Sequence, residues 1–232
     1  MELLHLLVQG VNAQRPGHSF FVGGVQLPLE ARMGGLFMGF LVAVLVVLLA
    51  GRARAALIPP WPASGVLAAF VGALALDGVN AAAYDRGLLL FYAPDNGLRL
   101  ATGLLAGLAV GAFAWPALAS RLWREPEADA PFTSAEELGF GLALLGAVYL
   151  AIQVDLAALL WPLALLGVAG VLVSFSVANA FLALALGGAT RAEGWREAAL
   201  PLSVGLSLTI IELVALAALR GWAETSLGVR WL

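Results

Sequence analysis

Cysteine is absent from the 232 residues, and so is lysine. The first absence excludes disulfides, thiolate metal sites, thioredoxin-like redox work and cysteine nucleophiles. It leaves the redox compartment open. Charge is scarce: Asp, Glu and Arg make up 12% of the chain, where a soluble domain carries about a quarter. The formal net charge of −3 offers no basic surface for nucleic acid. The usual catalytic motifs are missing as well. There is no HExxH, no nucleophile elbow, no P-loop and no dinucleotide glycine pattern. The opening MELLHLLVQG does not read as a signal peptide, because Glu2 replaces the basic n-region and Arg15 comes too late to serve as one.

What is there is apolar. Hydrophobic residues make up 62% of the chain and its mean hydropathy is +0.95. A water-soluble protein of this size could not hide so much apolar surface. The sequence therefore predicts an all-α, polytopic membrane helix bundle with the lipid bilayer as its first partner. Six spans are expected, over roughly 34–50, 64–83, 98–119, 137–153, 159–186 and 200–219. Each is near the roughly 20 residues that a hydrocarbon core about 30 Å thick requires. The fifth is long enough to predict a tilt or a broken end. Residues 1–33 form a pre-membrane segment, 34–219 the transmembrane domain and 220–232 a short interfacial tail. Leu3, Leu4, Leu6 and Leu7 suit a short interfacial helix, and Gly23 with Gly24 suits a turn.

Trp61, Trp115, Trp123, Trp161, Trp195 and Trp222 fall near the proposed helix ends, with Trp231 at the tail. That is where indoles anchor in the interfacial belt. Tyr84, Phe91 and Tyr92 mark the loop after the second span. The loop from Arg121 to Glu136 reads as exposed, with Thr133 or Ser134 capping the fourth helix ahead of Glu136 and Glu137. An even number of spans puts both termini on one side. The arginines divide six against six between the two sides, but Arg52, Arg54, Arg121, Arg124, Arg191 and Arg196 crowd into three short loops. That crowding places those loops in the cytoplasm and both termini outside it, in a multi-pass protein of the cell membrane.

Residues Asn12 to Gly35 read NAQRPGHSFFVGGVQLPLEARMGG. This stretch resembles the N-terminal signature of an uncharacterised bacterial membrane-protein family, the family of unknown function 2085. Gln14, Pro16, Ser19, Phe20, Gly23, Gly24, Pro28, Leu29, Arg32 and Gly34 match its frame. Asp77 to Gly87 and Ala93 to Gly107 are similar to the end of that family's second span and the start of its third. The resemblance implies a membrane bundle and no known activity. It places the family's cysteines on Asn12, Glu30 and Met33 and its neighbouring histidine on Ala13. A soft-metal or thiol site in relatives is therefore not repeated by the same groups here.

The polar residues inside the spans are the candidate functional groups. Asp77 and Asn80 share one helical face near the end of the second span. Asp77 is expected to pair with Arg99 or Arg86, and the sharper alternative is a proton or ligand site. Glu212 lies in the middle of the sixth span. It calls for an arginine partner or takes up a proton, with Ser203, Ser207 and Thr209 near it. Asn179 with Ser174 and Ser176 forms a polar patch suited to interhelical hydrogen bonds. Gly103, Gly107 and Gly111 form a small-residue stripe at intervals of four, expected to pack inside the chain rather than on a partner; Gly35 and Gly39 repeat it more weakly. His18 and Glu30 are too few and too scattered to define a metal site, and no cofactor is indicated.

Three functions follow as expectations. The first is a non-catalytic subunit or scaffold of a larger membrane complex, with partner membrane subunits against its apolar faces. The second is a small proton-coupled transporter in which Asp77 and Glu212 share a cavity. The third is a membrane enzyme acting on a lipid-like substrate, for which only fragments of a site are visible. Enzymatic activity is thus the weaker expectation.

Overall fold

The computed structural model describes residues 1–187 and 191–228. Arg230 and Trp231 lie outside the described residues. The order of elements is α1 (Glu2–Val8), a hairpin of β1 (Ser19–Val22) and β2 (Val25–Glu30), then six long helices. These are α2 (Ala31–Leu49), α3 (Trp61–Tyr84), α4 (Asn96–Leu122), α5 (Ala135–Gln153), α6 (Leu160–Gly187) and α7 (Trp195–Ser226). All six are long and apolar enough to cross a membrane. The bundle is all-α apart from the hairpin.

Local chemistry sets the boundaries. Gly51, at φ +73°, ends α2, and the prolines of IPPWP open α3, where a missing N–H costs nothing. The Asp95 side chain caps α4 by accepting from the Leu98 N–H at 3.0 Å. Ser134 caps α5 by accepting from Glu137 N–H at 3.1 Å. A short 3₁₀ turn at Ala157–Leu159 leads into α6, so the long fifth span has a broken end. The Gly23–Gly24 pair takes positive φ in the two-residue hairpin loop, and Gly23 N–H donates to Asp155 Oδ1 at 2.8 Å.

Two helices form the centre. The spanning portions of α2 and α4 are 61% and 67% buried, against 22%, 17% and 17% for α3, α5 and α7. The glycine stripe explains how they meet. A Cβ on Gly103 or Gly107 would strike the carbonyl oxygens of Arg32 or Leu36 on α2. A Cβ on Gly35 would lie 2.5 Å from Leu100 O, and one on Gly39 would strike Leu104 O. The stripes on both helices are therefore reciprocal, and the two backbones touch without side chains between them. α3 packs on the outside of α4, α5 lies against α2 and α4, and α6 pairs with α7 and packs against α2.

Two expectations about the surface are corrected. Trp115 and Trp123 are not interfacial anchors but buried, both donating Nε1–H to Ala53 O, at 3.2 and 2.9 Å. An indole N–H needs an acceptor wherever it is placed, and a folded loop supplied one before water did. Trp61, Trp161, Trp195 and Trp222 are exposed. The Arg121–Glu136 loop is exposed over 124–128 and again at Thr133 and Glu136, but Leu122, Trp123, Ala130, Pro131 and Phe132 within it are buried. Arg52 holds it down, donating to Asp129 and, at 2.7 Å, to Glu137.

Candidate functional site

Asp77 and Asn80 lie one turn apart on the inner face of α3, both fully enclosed. Arg32, from the first turn of α2, donates Nε–H to Asp77 Oδ2 at 3.1 Å, and its Nη2 bonds the same oxygen. Tyr92 donates its hydroxyl to Oδ1 at 2.9 Å, and Thr102 of α4 donates to Oδ2 at 3.4 Å. Asn80 binds the same loop through its backbone, donating to Tyr92 O at 2.9 Å and accepting from Phe91 N–H at 3.1 Å. One acid thus ties together α2, α3, α4 and the loop before α4. Burial, with the Asp77 carboxylate behind it, pushes the Tyr92 hydroxyl up to about 12.

The expected partners of Asp77 are corrected. Arg86 turns back to Ala82 O at 2.7 Å, and Arg99 donates to Asn96 Oδ1 at 3.0 Å. Arg32, read from sequence only as part of the family frame, is the counter-ion. The signal that could have found it was topological. The end of one span and the start of its antiparallel neighbour lie at the same depth, so Arg32 was as eligible as Arg99.

The pre-membrane segment makes a second network at the same end of the bundle. Arg15 donates Nε–H to Glu30 Oε1 at 3.0 Å, and its backbone N–H reaches that oxygen at 2.9 Å. Asn12 donates to Pro28 O at 3.1 Å and accepts from Glu30 N–H at 3.4 Å. Asn12 and Glu30 occupy two positions where the resemblance places cysteines, and the fold brings them side by side. Among the described residues, no cluster of His, Asp and Glu is arranged to hold a metal ion. Arg220 of α7 closes this end, donating to Gln9 O and Asn12 O at 2.7 Å each.

Burial raises the Glu30 carboxyl, but the hydrogen bonds and the charge of Arg15 outweigh it and hold it below its ordinary 4.5. A carboxyl depressed on folding stabilises the fold above its unfolded value, and that contribution disappears as pH falls through the folded value. Amide exchange across 12–30, corrected for intrinsic rates, should therefore be constant from neutral pH to about 5 and quicken below the Glu30 transition. Glu30→Gln should show no such step. An equal step in that variant would assign the acid sensitivity elsewhere.

Glu212 belongs to a third cluster, between α6 and α7. Asn179 donates to Glu212 Oε2 at 3.0 Å and to Thr209 Oγ1 at 3.1 Å. Ser176 also reaches Thr209, at 3.4 Å, whereas Ser203 turns to Leu200 O. Among the described residues no arginine pairs with Glu212, which corrects that expectation. The short neutral side chains of α6 were the nearer donors. Glu212 and Asn179 open on a groove of about 510 Å³ lined by Phe37, Phe40, Phe175 and Phe181. Asp77 does not line that groove and shares no hydrogen-bond partner with Glu212.

Residues 12–113 match the model of a family described as a predicted membrane protein (DUF2085). The match runs from the pre-membrane segment through α2 and α3 into α4, and so includes the Asp77 and Glu30 networks. No curated protein and no solved structure matches the chain.

Proposed function

We propose that this multi-pass membrane protein, alike over its first half to a family of predicted membrane proteins, is a non-catalytic subunit or scaffold of a larger membrane complex. The observation that carries this reading is the closure of the Asp77 network. Both carboxylate oxygens are engaged by Arg32, Tyr92 and Thr102 of the same chain. A catalytic or transporting acid needs a face left free for substrate or proton. Asp77 and Asn80 instead fasten a loop and three helices. The outward faces of α3, α5 and α7 remain apolar and unburied by this chain, as Leu76, Val79, Leu150, Ile211 and Val214 illustrate. Those faces suit partner helices as well as lipid. In the same reading the protein sits in the cell membrane with its hairpin end outside the cytoplasm, because the opposite loops concentrate arginine.

A second reading rests on Glu212, whose groove is open and which, among the described residues, is met by the neutral amide of Asn179 and by no cation. It is proton-coupled transport through Glu212, without Asp77. The test is gentle solubilisation from the native membrane, followed by native mass spectrometry. A partner chain in fixed stoichiometry is the expected result. A clean monomer or homo-oligomer with phospholipid alone would overturn the subunit reading. Proton uptake in proteoliposomes that is abolished by Glu212→Gln would then establish the second.

A further inference from the structure

Glu212 sets an acid deep in the bundle with one oxygen unused. Asn179 spends both amide hydrogens, one on Glu212 Oε2 at 3.0 Å and one on Thr209 Oγ1 at 3.1 Å. Among the described residues Glu212 Oε1 and Asn179 Oδ1 make no hydrogen bond, and neither atom is sealed inside the protein. The pair therefore presents two acceptors and no donor. Both residues line the groove of about 510 Å³. Phe37 and Phe40 of α2 also line it, between walls from α4 and α6. α4 contributes Val110, Ala114 and Ala117, whose spacing of four and then three places them on one helical face. α6 contributes Ala178. Val110 is 44% exposed, and Ala117 and Ala178 are exposed as well, so the groove opens outward to the bilayer. Alanine on both walls lets another helix come close.

Depth decides what can fill it. Glu212 comes well after Arg196 and well before Arg220 along α7, about 24 and 12 Å away at about 1.5 Å per residue. A phospholipid headgroup stays at the interface, and its acyl chains bring no donor to the two acceptors. A second copy of this chain, side by side in the same orientation, brings no cation either. Lysine is absent. Arg32, Arg99, Arg121 and Arg196 lie in the first or last turns of their helices. Arg220 is held by Gln9 O, Asn12 O and Glu224.

Building on the subunit reading, and resting on it, we infer that this groove docks a transmembrane helix of a different subunit, one that carries a lysine or arginine at the depth of Glu212. That side chain donates to Glu212 Oε1 and Asn179 Oδ1 and supplies the charge that this chain lacks there. Pairing hides both charges from lipid, which is how ionisable side chains persist within spans. The apolar face of the same helix covers Phe37, Phe40 and the alanines of the walls.

The probe is a synthetic transmembrane peptide of about twenty leucines and alanines with one central lysine, set beside the same peptide with leucine in that place. Each peptide carries an acceptor dye, and the full-length protein in phosphatidylcholine vesicles carries the donor. Energy transfer should show the lysine helix binding about tenfold more tightly than the leucine helix. Glu212→Gln should remove that preference. Ala178→Phe fills the groove from an exposed position, so it keeps the fold, and it should weaken both helices. Equal binding of the two helices, binding of neither, or a lysine preference intact in Glu212→Gln overturns the docking site. The subunit reading survives that result if native mass spectrometry still finds a partner in fixed stoichiometry, which then sits on another face. A native monomer alongside the lysine preference instead fails the subunit reading alone.

Discussion

Gly107→Leu is expected to abolish accumulation of the folded protein. The side chain would project from α4 straight into the Leu36 carbonyl oxygen of α2, with Phe40 N only 2.8 Å from its Cβ. Backbone cannot swing aside as a side chain can, so the two central helices must separate. Separation also opens the contacts of Gly35, Gly39 and Gly103, since all are made by the same close approach. Overpacking a core typically costs about 1–3 kcal/mol even where side chains give way. Against backbone, and with several contacts opened at once, the loss should exceed about 3 kcal/mol, a large share of a margin of about 5–15 kcal/mol. Gly107→Ala should fall between wild type and leucine. Gly72→Leu is the control, because its Cβ on α3 would meet nothing within 4 Å. Fluorescence-detected size-exclusion after detergent extraction reads all three. Equal yields of the Gly72 and Gly107 leucine variants would show that α2 and α4 tolerate separation, and that the stripe does not hold the centre together.

The stripe was legible because periodicity is a property of one helix read alone. Glycines at intervals of four on α4, and a shorter pair on α2, announce a close approach without naming what approaches. The six spans were legible for the same reason, and so was the Ser134 cap, whose acceptor and donor sit three residues apart. What sequence did not reveal depends on which elements are neighbours. Asp77 asked for a cation, and three arginines at the same end of the bundle could answer. The packing of α3 on α4 beside the start of α2 chose Arg32. Glu212 asked for the same and found Asn179, because α6 and α7 form an antiparallel pair with small residues such as Gly205 between them. Trp115 and Trp123 followed helix ends as interfacial indoles do, yet the Ala53 carbonyl drew both inward. The β1–β2 hairpin was visible only as its glycine turn. Its strands are held by pairing with each other, and its place by Asp155, far along the chain.

The Asp77 network makes the second large prediction. Asp77→Ala removes the carboxylate and leaves Arg32 without its counter-ion, Tyr92 without its acceptor, and a void between α3 and α4, while Thr102 keeps Leu98 O at 2.9 Å. Breaking a buried ion pair costs about 3–5 kcal/mol. The side chain of Arg32 is 27% exposed while that of Asp77 is 1% exposed. The freed guanidinium can therefore reach water, and the lower end of that range, about 3 kcal/mol, is the expected loss. Arg32→Met should cost more, toward the upper end of that range, because the buried Asp77 carboxylate has no such escape. The double variant should recover at least about 1 kcal/mol of the summed losses, the signature of direct coupling between contacting residues. Strict additivity would show that the two do not stabilise each other. A local readout separates this from general loosening. In Asp77→Asn the Tyr92 hydroxyl loses the carboxylate but keeps its burial, so its ionisation should fall only part of the way from about 12 toward 10. A difference titration against Tyr92→Phe isolates that one phenol. If the titration moves and the double variant still joins the assembly that the proposed function expects, Asp77 is a fastening. If assembly or transport fails in a double variant that folds, the carboxylate itself takes part in the function, and the subunit reading loses the observation that carries it.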